Sequence, residues 1–182
     1  SNSHVYDGIG GTPDGTPISQ PFGSANVIGA TDRHVPIFAT HNLVDARLAR
    51  LSGIEILPHF NATIGGYLAG ARALTTDDLG RDFYKIGRTT EARVGRYTGF
   101  EIDGMGIAYD QGIRRYDDQH EWSGGAAGDF SAGGDSGSLI VDADGWAVAL
   151  LFAGGPASDG TDRTYGNPIL TVLRLLEVEL AL

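Results

Sequence analysis

An all-β chain closed by one C-terminal helix is predicted by three observations. Short apolar runs recur along most of the 182 residues and are separated by polar, glycine-bearing punctuation, which is the pattern of a barrel or sandwich. Glycine is frequent, at 28 residues, while proline stands at 7, so the connections are tight turns between strands and not disordered linkers. The final apolar run, from Ile169 through Leu173 to Val178, follows Asn167-Pro168. Asn167 as N-cap and Pro168 at the first helical position predict a helix there.

Taken in order, residues 1–33 read as loop, with turn chemistry at Asp7-Gly8, Gly10-Gly11, Pro13-Asp14-Gly15 and Gln20-Pro21-Phe22-Gly23. Val35-Pro36-Ile37-Phe38 follows. Residues 43–51 alternate as a strand, with Leu43, Asp45, Arg47, Ala49 and Leu51 on one face; Val44, Leu48 and Leu51 also fit a helix, and the strand is the favoured reading. Ile54-Glu55-Ile56-Leu57 and Thr63-Ile64-Gly65-Gly66-Tyr67-Leu68 are further short strand or turn segments. The polar run at 75–82 predicts a connection between two halves, 1–78 and 79–182. Beyond it, 83–86, 92–98, 106–109, 139–141 and 146–152 are strands, punctuated by Gly87-Arg88, Asp103-Gly104 and the hairpin signal Asp144-Gly145.

The formal charge of −10 argues against a nucleic-acid or anionic-membrane partner, since both require a basic face. With no cysteine, disulfides and zinc–thiolate sites are excluded and the redox compartment stays open. No window approaches the ~18 apolar residues of a membrane span. The first residues carry neither the basic nor the apolar region of a secretory signal. The expectation is a soluble chain whose compartment is unknown, any targeting segment having lain upstream.

The stretch Gly133-Gly134-Asp135-Ser136-Gly137-Ser138-Leu139-Ile140-Val141 carries the chemistry. It places one serine on a glycine turn that feeds an apolar strand. Glycines on both sides allow backbone N–H groups to point into a cavity instead of pairing in a sheet. If the N–H groups of Gly134 and Ser136 converge, they form an oxyanion hole for acyl transfer. The same tetrapeptide, Gly-Asp-Ser-Gly, also reads as an ordinary β-turn, so its context decides.

A nucleophilic serine needs a base and usually a carboxylate that orients the base. Of the five histidines, His4 lies early enough for a His…Asp…Ser order, and Asp45 lies between. The intervals are 41 and 91 positions, against about 45 and about 93 in a triad of that order. His41 is close to Asp45 in sequence, but four strand residues separate their side chains by ~13 Å.

These segments resemble the bacterial trypsin-like (chymotrypsin-fold) serine peptidases. Phe130-Ser131-Ala132-Gly133-Gly134-Asp135-Ser136-Gly137-Ser138-Leu139 is similar to their nucleophile segment, Ser1-Asn2-Ser3-His4-Val5 to their base motif and Asn42-Leu43-Val44-Asp45-Ala46 to their aspartate strand. Lys85-Ile86-Gly87-Arg88-Thr89-Thr90 resembles the opening of their second barrel, and Leu150-Leu151-Phe152-Ala153-Gly154-Gly155 and Asn167-Pro168-Ile169 their late strand and final helix. The resemblance implies a chymotrypsin-like double six-stranded β-barrel with a C-terminal α-helix. The first barrel is expected to be incomplete at its N-terminus, because only three residues precede His4.

By that resemblance His4 is general base and then general acid, Asp45 holds its tautomer, and Ser136 attacks the scissile carbonyl. Gly134 and Ser136 donate the oxyanion N–H groups. Ala153 and Gly154 pair with the substrate backbone, and Phe130, Ser131 and Ala132 line the primary pocket, where the absence of a carboxylate disfavours Lys or Arg. Asp135 lies buried beneath the turn and needs an internal donor, for which Arg88 is the guess. No cofactor and no metal are implied; the acidic stretch Asp7…Asp14 lacks the ligand ladder of a calcium loop.

The partner is a peptide or protein substrate, and also the missing N-terminal segment of a precursor if the chain is a fragment cut before Ser1. Two further readings stay open: an inactive protease-like binding scaffold in which His4 is a frayed terminal residue, and an autoprocessing protease. Asp45 also reads as a strand carboxylate paired with Arg47 or Arg50. His34, His59 and His120 read as surface or loop residues, Asp117, Asp118, Asp142 and Asp144 as solvated turns, and Asn61-Ala62-Thr63 as a glycosylation sequon without consequence outside a secretory route.

Overall fold

The computed structural model describes residues 1–7, 12–20, 23–54, 60, 61, 65–125, 128–157 and 159–182. The expected segments at Glu55-Ile56-Leu57 and Thr63-Ile64, the residues Ala62 and Thr63 of the sequon, His59, and the turn dipeptides at 8–11 and 21–22 lie outside them.

A short helical turn, α1 (His4–Asp7), is followed by β1 (Pro17–Ser19), β2 (Val27–His34), β3 (Arg47–Leu51), β4 (Phe60–Asn61), β5 (Gly66–Tyr67) and β6 (Gly70–Ala71). The second half contains β7 (Asp82–Gly87), β8 (Glu91–Ile102), β9 (Met105–Tyr109), β10 (Gly112–Tyr116), β11 (Gln119–Gly124), β12 (Leu139–Val141), β13 (Trp146–Pro156), β14 (Asp162–Pro168) and α2 (Ile169–Leu176). In the first half β1, β2 and β3 form a three-stranded antiparallel sheet and β4 pairs with β5. In the second half the order β12-β7-β8-β11-β14-β13, closed by pairing of β13 with β12, makes a six-stranded barrel. β6 adds to β13 in parallel, and β9 with β10 forms a separate hairpin.

Closure removes sheet edges and leaves an interior to be filled by alternate residues of each strand. On β7 the inward positions are Phe83 and Lys85, and on β8 they include Gly95 and Tyr97. The barrel core gathers Phe83, Tyr97, Trp122 and Phe130, with ring centroids 5.3–6.4 Å apart in tilted or edge-on contact, a geometry that aromatic quadrupoles favour. Gly95 is required by this packing, because a Cβ there would lie 2.4 Å from the Phe130 ring. A second cluster joins Val44 and Ala46 to Ala147 and Leu150 of β13 and to Ile169, Val172 and Leu176 of α2.

The strands expected around 83–86, 92–98, 106–109, 139–141 and 146–152 are all present, and Asp144-Gly145 joins β12 to β13 as a hairpin. β1 and β2 replace part of the loop expected over 1–33. The buried face of β2 carries Gly29 and Thr31, so no apolar alternation advertises it. α2 begins one residue late: Pro168, the last residue of β14, occupies the N-cap position, and Asn167 lies within β14. Its end is a left-handed Glu177, whose N–H returns to the Arg174 and Leu173 carbonyls.

Asp142 is buried and accepts from Arg72 Nε at 2.8 Å; Arg72 also grips the buried Asp78, which in turn pairs with Arg81. Asp142 is therefore an interior ion-pair member and not a solvated turn. His120 is likewise in the core, with Nδ1 2.8 Å from the Tyr97 hydroxyl. Burial pulls its imidazole down to about 4. Because the unfolded residue titrates at about 6.5, the unfolded state binds more protons between those values, and stability falls as pH drops through that window. Urea unfolding at pH 7 and pH 5 should show a loss of about 2 kcal/mol from this group, and the pH dependence over that interval should flatten in His120→Gln.

Candidate active site

The first residues of the chain are bound to the segment that leads into β3. The Arg47 N–H donates to the Ser1 carbonyl at 2.8 Å, Asn2 Nδ2 to the Asp45 carbonyl at 2.8 Å and Ser3 Oγ to the Ala46 carbonyl at 3.1 Å. Asn2 and Ser3 are buried. His4 is thus held on both sides, by this backbone pairing and by the turn of α1 in which the Tyr6 N–H donates to the Ser3 carbonyl.

Asp45 is fully buried, and a carboxylate there requires donors. Oδ2 lies 2.5 Å from His4 Nδ1 and accepts from the Tyr109 hydroxyl at 3.0 Å. Oδ1 accepts from the N–H of Ser3 at 2.6 Å and of His4 at 3.4 Å. The Asp45 N–H donates to Oδ1 of Asn167, whose Nδ2 donates to Gln119 Oε1. Asn167, expected as a helix cap, is therefore a brace for the Asp45 backbone. The two arginines near Asp45 in sequence are engaged elsewhere, Arg47 with Asp14 and Arg50 with Asp32. His41 is exposed and pairs with Asp117 at 3.1 Å.

Ser136 sits in a turn anchored to β13: the Gly137 N–H donates to the Leu151 carbonyl at 2.8 Å and the Leu151 N–H to the Ser138 carbonyl at 2.9 Å. The N–H of Asp135 donates to the Ala132 carbonyl and that of Ser138 to the Asp135 carbonyl. Among the described residues the N–H groups of Gly134 and Ser136 have no acceptor, which is the condition for receiving a ligand oxygen. The turn depends on glycine at two positions. Gly134 has φ +99° and Gly137 φ +90°, and a Cβ at these sites would approach Arg88 Nη2 to 2.3 Å and Ser1 Oγ to 2.2 Å.

Asp135 is buried under the turn, and its donor is Lys85, not Arg88. Lys85 Nζ, itself fully buried, reaches Oδ2 at 2.8 Å. Thr90 Oγ1 donates to the same oxygen at 2.6 Å, the Thr89 N–H to Oδ1 at 2.7 Å and the Ala132 N–H to Oδ2 at 3.1 Å. Burial alone would raise the Asp135 carboxyl, but hydrogen bonds from Lys85, Thr90 and the two N–H groups hold it well below the usual carboxylate range.

His4 and Ser136 both line a cleft of about 490 Å³, together with Gly106 to Tyr109 on one side and Phe152 to Ala157 on the other. No hydrogen bond joins the two side chains. Among the described residues, β13 pairs from Ala153 to Pro156 only with β14, and this stretch lines the cleft, where its other edge can accept an extended chain by strand addition. Ser131 and Ala132 line the cleft, and Ser131 Oγ lies 2.6 Å from Thr164 Oγ1 in the wall behind. Phe130 does not line it: its ring is fully buried in the barrel core. Tyr109 and Tyr165, which sequence reading passed over, do. Among the described residues no group of three or more His, Cys, Asp or Glu side chains could hold a metal ion, and no helix is long and apolar enough to cross a membrane.

No sequence-family model matches the chain, and no curated protein matches it in sequence. The fold has solved counterparts. A glutamic-acid-specific serine protease described as using a histidine triad in substrate binding superposes with TM-score 0.64 at 18% identity, over 91% of this chain and 80% of that one. Protease A of Thermobifida fusca gives 0.62 at 18% over 93% and 80%, and the Cellulomonas bogoriensis chymotrypsin 0.58 at 18% over 87% and 80%. The chain has the chymotrypsin-type fold of bacterial serine proteases.

Proposed function

We propose that this chain is a serine endopeptidase that hydrolyses peptide bonds through an acyl-enzyme on Ser136. The observation that carries the reading is the His4–Asp45 pair at 2.5 Å, set in the same cleft as Ser136 and the Ala153–Pro156 stretch of β13. In this reading Ser136 Oγ adds to the scissile carbonyl carbon while His4 Nε2 takes its proton, and the N–H groups of Gly134 and Ser136 receive the oxyanion. Collapse breaks the C–N bond, and the leaving amine departs with the proton from His4. Water, deprotonated by His4, then attacks the acyl carbon and releases Ser136. Asp45 keeps the Nδ1 proton in place and leaves Nε2 free to act as base.

The primary pocket is proposed to take an uncharged side chain. The cleft that holds Ser136, with Ser131, Ala132, Gly133, Gly154 and Tyr165 in its lining, has no carboxylate for Lys or Arg among the described residues. The histidine triad of the glutamate-specific neighbour has no counterpart either, since His4 is the one histidine lining the cleft among the described residues. A second reading, a protease-like scaffold without catalysis, is favoured by the missing hydrogen bond between His4 and Ser136. Such bonds are often long in unliganded sites and tighten when substrate binds, so the observation weighs less than the assembled Asp45–His4 pair.

The test is digestion of a peptide mixture of varied sequence with mapping of the cut sites. Cleavage after uncharged residues, absent in Ser136→Ala, is expected. Cuts clustering after Lys and Arg would overturn the pocket assignment, and no cleavage by a folded protein would favour the scaffold.

A further inference from the structure

We propose that Tyr109, backed by Tyr116, is a positioning residue for the Asp45–His4 pair; the proposal rests on the peptidase reading above. Asp45 Oδ2 has two side-chain donors, and the second is the Tyr109 hydroxyl at 3.0 Å. A phenol has one proton to give. With that proton on Asp45, the Tyr116 hydroxyl, 2.8 Å away, must donate to the Tyr109 oxygen. The hydrogen bonds therefore run in one direction, Tyr116 to Tyr109 to Asp45, each polarising the next.

Both phenols are fixed in the donating form. Burial and the Asp45 charge push Tyr109 far above the ordinary tyrosine range, and burial also pushes Tyr116 up. Tyr116 is fully buried, with its ring 4.9 Å from that of Phe152, so the end of the relay is rigid. Phe152 of β13, which lines the cleft and packs its ring against Tyr116, has an apolar side chain with no donor to offer a carboxylate. The hydroxyl comes instead from the β9–β10 hairpin, which carries both tyrosines at its two ends.

The geometry separates orientation from bulk packing. The Tyr109 ring meets the His4 imidazole edge-on, with centroids 5.9 Å apart and planes at 64°, so the ring limits tilting of the imidazole while the hydroxyl fixes the carboxylate oxygen that binds Nδ1. Tyr109→Phe preserves the first contact and removes the second. Losing one hydrogen bond to a charged acceptor corresponds to a rate effect of about tenfold to a hundredfold.

The experiment compares fluorophosphonate labelling of Ser136 in the unsubstituted protein and in Tyr109→Phe, Tyr116→Phe and the double variant, with proton NMR of the His4 Nδ1–H in each. The limiting labelling rate should fall at least tenfold in Tyr109→Phe, with little change in the probe concentration that gives half of it, and the Nδ1–H resonance should be displaced. Tyr116→Phe should show a smaller fall, and the double variant no further fall beyond Tyr109→Phe, because the two hydroxyls act in series. An unchanged rate and an unchanged resonance in Tyr109→Phe would overturn the proposal. If the unsubstituted protein is not labelled, the peptidase reading fails, and the resonance alone decides whether Tyr109 holds the Asp45–His4 pair: displaced it stands, unmoved it falls.

Discussion

Substitution of His4 by Ala is expected to lower peptide hydrolysis by roughly 10⁴- to 10⁶-fold, and Ser136→Ala by a similar amount. The two act on one proton transfer, so the double variant should be no slower than either single one. The loss would not come from unfolding. With the imidazole gone, the Asp45 carboxylate still receives the Ser3 N–H at 2.6 Å and the Tyr109 hydroxyl at 3.0 Å, and the anchoring of residues 1–3 to the Asp45–Arg47 segment is through other atoms. Urea unfolding of His4→Ala should therefore stay within about 1 kcal/mol of the parent. Steady-state hydrolysis of a peptide identified as a substrate is the measurement; a variant retaining a tenth of the activity would remove His4 from the catalytic role.

Lys85→Met should be the most damaging single change to the nucleophile turn. It leaves Asp135 buried without its cation, and removing one partner of a buried pair costs about 3–5 kcal/mol. Asp135 organises the segment by accepting from the N–H groups of Thr89 and Ala132 and from Thr90 Oγ1, so a displaced carboxylate would also disturb the positions of the Gly134 and Ser136 N–H groups. Both stability and labelling should fall. Lys85→Met combined with Asp135→Asn removes both charges and should recover part of the stability, because the uncompensated charge and not the lost attraction dominates the single variant. Acid acts on the same pair. The Asp135 carboxyl is held below its unfolded value, so its contribution is present above about pH 4 and is lost as pH falls further. A single variant as stable as the parent would mean that Lys85 does not hold the turn.

Much of this was legible in the sequence because the relevant signals are local. The short apolar runs at 83–86 and 146–152, and Asp144-Gly145 between two such runs, give β7, β13 and the β12–β13 hairpin. The glycines around Ser136 announce a turn with free N–H groups, and the structure places positive φ at Gly134 and Gly137. What was not legible depends on contacts between distant segments. Asn167 has the sequence context of a cap, yet its side chain reaches back 122 positions to the Asp45 N–H.

Tyr109 lies 64 positions from Asp45, and nothing in either neighbourhood pairs them. Phe130 adjoins Ser131 and Ala132, but it sits at a bend of the segment before the nucleophile turn and its ring packs into the barrel core. Lys85 was the recoverable case. It shares the inward face of β7 with Phe83, and a lysine at a core position demands an anion, for which the buried Asp135 was already waiting. Nothing in the sequence singles out Arg88, whereas alternation on β7 points to Lys85.

The central claim, that Ser136 is a nucleophile activated by His4, is tested most directly by treating the purified protein with a fluorophosphonate probe and mapping the modified peptide. Label on Ser136 alone, lost in Ser136→Ala and in His4→Ala, is the predicted result. A protein shown to be folded that takes no label, or takes it on another residue, would contradict the account.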